Sequence, residues 1–533
     1  MRQLLKALRG TAAVLVVLLS GGCASTTATI DDGPRVHIGQ GEIEGVALPE
    51  VHAFLGIPYA RPPLGKLRWR TPAEPVPWNG VLSARRHGAA CMQGPPRPWG
   101  PFTTEFVDVQ VPLSEDCLFL NVWTPRARGA KGLPVLVWIH GGGFGSGAAS
   151  VPIYDGSRLA ARGAVVVSIN YRLGVFGFLA HPALSAESPQ GVSGNYGLLD
   201  MVAALRWVRA HIEQFGGSPE QVTIAGQSAG AAAVMDLMAM PSAQGLFQRA
   251  IALSGAAMGV RALPLDEAQR IGERMLNEAG IADVASLRQL AAEQVQALEP
   301  PQGNSGGMPR LVLAPVVDGR VLPVDVEKTP AKLMSPVPVL TGYMADEGFI
   351  MGPPPATPAS FEAHVRQRYG AMADRFLAAY PHADDAQATA SMRLIGRDRY
   401  MAALLIWADR RDKAGQPVQG YLFSNALPGP DAGRFAAFHT AEIPYLFGTL
   451  DRRLRPYTDA DEAIAAALQS QVLAFMRDGQ LTAPAPAARL TAASPRVVEL
   501  GTAAPASVPA VSSAQRLQAF IDYEAGGGQL SMF

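Results

Sequence analysis

Residues 221–240 read QVTIAGQSAGAAAVMDLMAM, and three local patterns follow one another within those twenty positions. The first five, QVTIA, are a short run of the kind that forms a strand buried in a parallel sheet. Gly226 and Gly230 bracket Ser228 in a predicted tight turn, and the apolar run from 231 to 240 predicts a helix. Strand, turn and helix in immediate succession point to an α/β architecture.

Working outward, the same rhythm recurs. Residues 135–140 (VLVWIH), 164–170 (AVVVSIN), 249–253 (RAIAL) and 337–341 (VPVLT) are further apolar runs, and parallel strands covered on both faces read in this way. Between the second of these and QVTIA, Leu198, Val202, Leu205, Val208 and Ile212 recur at helical spacing until Gly216-Gly217 stops the pattern. One helix therefore crosses between two parallel strands, its apolar positions serving the core. The expected fold class is α/β, a doubly wound, mostly parallel sheet flanked by helices. Residues 256–335 and 350–430 interrupt the rhythm with helical patterns, Pro and charge. They are expected to be helical insertions covering the active edge of one domain at 35–533, since no long linker isolates either. Residues 459–481 predict one more helix, and no internal repeat is present.

Composition removes several function classes. A chain of 533 residues with 48% apolar and 17% charged residues can bury a large core, which excludes a disordered protein. Lys+Arg 45 against Asp+Glu 45 leaves no net charge to recruit nucleic acid. At the amino terminus Arg2, Lys6 and Arg9 precede TAAVLVVLLS at 11–20 and the small residues of GGCA at 21–24. That apolar run is too short to span a bilayer, which takes about 20 residues, and it predicts a signal peptide over 1–22 with a polar spacer at 23–34. Removing it takes three basic residues and leaves 42 against 45 acids, a charge of −3.

Cys23 sits where the lipobox of bacterial lipoproteins has its lipidated cysteine, although Leu19 lies four positions before it rather than three. Lipidation there would tether the protein to a membrane; otherwise an exported chain is periplasmic or secreted. Export also makes Cys91 and Cys117, the remaining two cysteines, an expected disulfide, stabilising by about 3 kcal/mol. No His or Cys cluster has metal-ligand spacing, so no metal or cofactor is expected.

G-x-S-x-G occurs twice, at 226–230 and at 303–307 (GNSGG), and only the first follows a strand and opens a helix. Ser228 is therefore the candidate nucleophile. A serine hydroxyl attacks poorly unless a base takes its proton and donors hold the oxyanion that forms. His140-Gly141-Gly142-Gly143 directly follows a strand, and the amides of Gly142, Gly143 and Ala229 are the candidate oxyanion donors. In such sites the base lies beyond the serine, which leaves His364, His382 and His439. The first two lie in charged or turn-like surroundings, whereas His439 lies in a Gly- and Pro-punctuated loop that suits a base. The acid should follow a late strand, and Asp346 and Glu347 both qualify after 337–341, with Asp318 a weaker third.

At this point the chain resembles the type-B carboxylesterases, the family of cholinesterases and para-nitrobenzyl esterases. The resemblance rests on GIPYARPPLGKLRW at 56–69, SEDCLFLNVWTP at 114–125, VWIHGGGFGSG at 137–147, SINYRLGVFGFL at 168–179, GNYGLLDMVAALRWV at 194–208 and FGGSPEQVTIAGQSAGA at 215–231. It implies the α/β-hydrolase fold, Ser228 as nucleophile, Glu347 as acid, His439 as base, the oxyanion hole at Gly142, Gly143 and Ala229, and a Cys91–Cys117 disulfide. It further implies that Ser254 supports the acid, and that Arg68 with Glu115 and Arg172 with Asp200 are structural ion pairs.

Three residues depart from the family pattern: Gln227 where many relatives carry Glu, Thr440 where Gly usually follows the catalytic His, and Ser218 for a frequent Asp. Residues 101–113 contain no Trp to stack on choline, which disfavours a dedicated choline esterase. The expected function is hydrolysis of small-molecule carboxylic esters through a serine acyl-enzyme. A lipase or polyester hydrolase, or a non-catalytic binding protein on the same scaffold, is the alternative. Phe144 and Phe178 are expected either to line the substrate pocket or to belong to the core.

Overall fold

The computed structural model describes residues 33–95, 97–126, 131–256, 262–298, 313–326, 331–348, 355–482 and 489–530. The expected signal peptide, Cys23 and the second G-x-S-x-G, at 303–307, lie outside the described residues. Eleven strands form the main sheet: β1 Val46–Ala47, β2 Val51–Pro58, β3 Phe119–Pro125, β4 Leu133–Ile139, β5 Val165–Ile169 and β6 Gly217–Gln227. The remainder are β7 Arg249–Leu253, β8 Val339–Met344, β9 Val418–Phe423, β10 Arg496–Glu499 and β11 Ala506–Pro509.

Their spatial order is β11-β10-β9-β8-β7-β6-β4-β5-β3-β2-β1. From β5 to β10 every pairing is parallel. Both margins are antiparallel, where β3, β2 and β1 follow β5 on one side and β11 follows β10 on the other. The parallel strands are those whose sequences are apolar without alternation: all five residues of β5 are buried, as are six of the seven in β4. A strand can be apolar on both faces only when both faces are covered.

The covering comes from helices on either side. They include α1 Tyr196–His211, α2 Ala229–Ala239, α3 Leu265–Glu278, α4 Pro358–Tyr369, α5 Asp385–Lys413, α6 Ile443–Phe447 and α7 Asp459–Asp478. Val135, Val137 and Ile139 of β4 join one core cluster with Leu198, Val202 and Leu205 of α1. Leu136 and Trp138, pointing the other way, join a second cluster with Ile443 of α6 and Leu468 and Val472 of α7. Alternate residues of one strand thus feed two cores, which is what winding the chain over both faces of a sheet requires. The protein is an α/β-hydrolase fold in this arrangement.

Three features differ from the sequence reading. The strand at 221–225 begins four residues earlier and runs through Gln227. Residues 418–423, within a range expected to be insertion, form β9 of the main sheet. Gly420 and the polar Gln419 interrupt that short run and weaken its strand pattern. The antiparallel margin strands β1, β2, β3 and β11 lie outside the runs read as strands from the sequence. The two ion pairs implied by the resemblance are present: Arg68 Nε donates to Glu115 Oε2 at 2.6 Å, and Arg172 holds both oxygens of the fully buried Asp200 at 2.7 and 2.8 Å.

Candidate active site

The chain leaves β6 at Gln227 and enters α2 at Ala229, so the whole reversal falls on Ser228, which adopts φ 58° and ψ −125°. A non-glycine residue reaches this region only when its surroundings hold it there. Here its amide donates to Leu253 of β7 (3.0 Å) and its carbonyl accepts from Ala232 of α2 (2.9 Å). The flanking glycines are steric necessities. A Cβ on Gly226 would lie 2.4 Å from the carbonyl of Gly230, and one on Gly230 would lie 2.1 Å from the carbonyl oxygen of Ile139.

The glycine loop follows β4 and turns back over this bend; a Cβ on Gly141 would lie 3.2 Å from Cβ of Ser228. His140 anchors it. The ring is buried, stacks on Tyr171 at 4.5 Å between centroids, and its Nδ1 hydrogen donates to the Gly141 carbonyl at 2.8 Å. Burial pushes its pKa down to about 4, so the ring stays neutral. Among the described residues the amides of Gly142, Gly143 and Ala229 donate to no backbone carbonyl, which leaves three N–H groups around the bend for a ligand.

Of the three acids weighed from sequence, the structure brings Glu347 to the histidine. Its side chain is 1% exposed, and Oε1 accepts from Nδ1–H of His439 at 2.5 Å. Oε2 accepts from the Ser254 hydroxyl at 3.0 Å and from the amide of Met344 at 2.8 Å. Asp346 instead accepts from the Ala437 amide (3.3 Å) and faces Arg393 (3.8 Å). Asp318 closes its own turn by accepting from the amides of Arg320, Val321 and Leu322. His364 sits on α4, and His382 bonds the Tyr380 carbonyl, both apart from this cluster.

Two residues escaped the sequence reading as parts of this site. The carboxamide nitrogen of Gln227 lies 3.1 Å from His439 Nε2, whereas no hydrogen bond joins the Ser228 hydroxyl to the ring. Glu442, three residues past His439, is 2% exposed and neither carboxyl oxygen has a hydrogen-bond partner among the described residues. It lines a small apolar cavity with Leu136, Ala225, Leu253 and Tyr421. Burial, and then the charge of Glu347, push its pKa up to about 8. A lone acid in the run AEIPYLF at 441–447 was the available signal. Thr440, flagged as a departure from Gly, takes φ 87°, a left-handed backbone that a β-branched residue enters at a cost.

Cys91 and Cys117 form a disulfide. The loop between them carries Phe102 and Phe106, whose rings pack edge-on against Phe438 at 5.7 and 5.8 Å. Phe144 and Phe178 are buried against each other, which makes them core. Among the described residues no group of three or more His, Cys, Asp or Glu could hold a metal ion.

Comparison with known proteins places this geometry. The model of the Carboxylesterase family matches residues 32–505. The chain is 40% identical to the fumonisin B1 esterase of Sphingopyxis macrogoltabida over 83% of its own length and 80% of that protein. It is 36% identical to the para-nitrobenzyl esterase of Bacillus subtilis, covering 82% of this chain and 88% of the relative. A solved structure titled PNB esterase superposes with a TM-score of 0.74 at 32% identity, over 91% of this chain and 99% of that one.

Proposed function

The chain belongs to the carboxylesterase family and is an ester hydrolase, and from that premise we propose that it works through an acyl-enzyme on Ser228 with His439 as base and Glu347 as its acid. The Ser228 oxygen attacks the ester carbonyl carbon while its proton passes to Nε2 of His439. The carbonyl oxygen becomes an oxyanion and takes hydrogen bonds from the amides of Gly142, Gly143 and Ala229, each worth roughly 3 kcal/mol in the transition state. Collapse expels the alcohol, which leaves with the proton from His439. Water then attacks the acyl carbon, the same base takes its proton, and the carboxylic acid departs as Ser228 is restored. Glu347 fixes the ring so that its lone pair is on Nε2, and stabilises the cation formed after proton transfer.

The observation that carries this reading is the Glu347–His439 contact at 2.5 Å beside a serine held on a strained bend. Small esters are its substrates, in keeping with relatives named for para-nitrobenzyl and fumonisin B1 esters. The leader at 1–22 directs export, and Cys23 is the site at which a lipid would tether the chain. The reading is tested by Ser228→Ala, which should abolish turnover of p-nitrophenyl esters and covalent labelling by a fluorophosphonate while the thermal melt stays put. Labelling that persists in the variant would show another nucleophile.

A further inference from the structure

Gln227 occupies the position at which the proposed mechanism needs Ser228. Nδ1 of His439 faces a carboxylate oxygen, which can only accept, so the ring proton sits on Nδ1 and Nε2 carries the lone pair. The group 3.1 Å from Nε2 is the carboxamide nitrogen of Gln227, which can only donate. An imidazole nitrogen has one lone pair in the plane of its ring. In this structure the carboxamide fills it, and the Ser228 hydroxyl makes no hydrogen bond to the ring.

The carboxamide is also confined. Gln227 is 2% exposed, and its Oε1 lies alongside the glycine loop, 3.0 Å from where a Cβ on Gly141 would be. The side chain therefore reaches from the loop that supplies the oxyanion donors to the ring that supplies the base. Its neighbour along the chain is the nucleophile itself.

We propose that Gln227 is a positioning residue that holds His439 in a resting register, its N–H on Nε2, and that the base becomes available to Ser228 when the carboxamide gives up that lone pair as an ester enters. The inference rests on Ser228 and His439 being nucleophile and base. Two effects follow from the donor. The base is partly withheld from the hydroxyl, by roughly two- to tenfold for a neutral hydrogen bond. The carboxamide N–H also occupies the place on Nε2 that a transferred proton would take.

The experiment compares wild type with Gln227→Leu, which fills the space without a donor, and Gln227→Glu, which keeps the shape and replaces the donor by an acceptor. The second-order rate of inactivation by a small fluorophosphonate, and kcat/KM for p-nitrophenyl acetate from pH 5 to 9, are measured on each. Gln227→Leu should inactivate roughly two- to tenfold faster, and the acid limb of its pH profile should move to higher pH. Gln227→Glu should move that limb further up, by about one unit, because an adjacent carboxylate favours the imidazolium. Should Gln227→Leu fail to fold, the limb of Gln227→Glu decides alone. Acid limbs that stay at the wild-type pH in the folded variants overturn the role of Gln227. Ser228→Ala runs in parallel, and labelling that survives it overturns the premise instead.

Discussion

Glu347, in the turn after β8, receives hydrogen bonds from His439, Ser254 and Met344; Glu442, at the mouth of α6, receives none among the described residues. Both are buried, and both lie close to the segment that carries the histidine. They differ in surroundings: three donors converge on the first, while the second faces Leu136, Ala225 and Leu253 across an apolar cavity. Depth is therefore a poor guide to what a carboxyl group can do. Without donors, burial pushes the Glu442 carboxyl up to about 8, whereas every contact of Glu347 is with a group that donates to it.

The strongest way to break this comparison is to exchange the two roles. Glu347→Gln keeps the shape and removes the charge that fixes and stabilises the ring, and kcat should fall by roughly four orders of magnitude, as loss of a triad acid does elsewhere. The same change at 442 should leave kcat within about tenfold, since an amide resembles a neutral acid at a site without donors. Equal losses in steady-state assays would erase the distinction.

Stability against pH sharpens it next. Glu442 has an unfolded pKa near 4.5 and a folded one of about 8. Between those values the unfolded chain loses its proton while the fold keeps it, so the native state weakens as pH rises through that window. The loss is at most about 5 kcal/mol at 1.4 kcal/mol per pH unit. Thermal melts from pH 4.5 to 8 should show wild type falling relative to Glu442→Gln, and parallel melting curves would refute the buried neutral acid.

Removing one donor moves Glu347 part of the way toward the condition of Glu442. Ser254→Ala should cut kcat about tenfold, the worth of one hydrogen bond to a charged group, with KM unchanged. Asp346→Asn is the smallest test. It weakens a long, partly buried contact with Arg393 away from the histidine, so kcat should stay within about threefold. A collapse of activity in that variant would mean that the wrong carboxylate of the pair had been paired with the histidine.

How much of this the sequence disclosed follows from what is local and what is not. The bend at Ser228 was legible because its glycines, strand and helix lie within twenty positions of one another. The parallel strands were legible because burial on both faces leaves long apolar runs. Asp346 and Glu347 were indistinguishable, since adjacent residues on a turn differ only in direction, and that direction is set by β8 and by the Ala437 amide ninety-one positions away. Gln227 was visible as an unusual residue but not as a contact. Its partner lies 212 positions on, and only the folded sheet brings the two side chains together. Glu442 went unread because one acid in an apolar run is most often a surface residue.

The loop clasped by Cys91 and Cys117 leans through Phe102 and Phe106 on Phe438, the residue just before the histidine. The footing of the base thus depends on the oxidation of two sulfur atoms more than three hundred residues upstream. Enzyme matured among reducing thiols would keep its sheet and its nucleophile bend, yet stand its imidazole on slack ground. Assayed over time in dithiothreitol, catalysis should fade before the fold does.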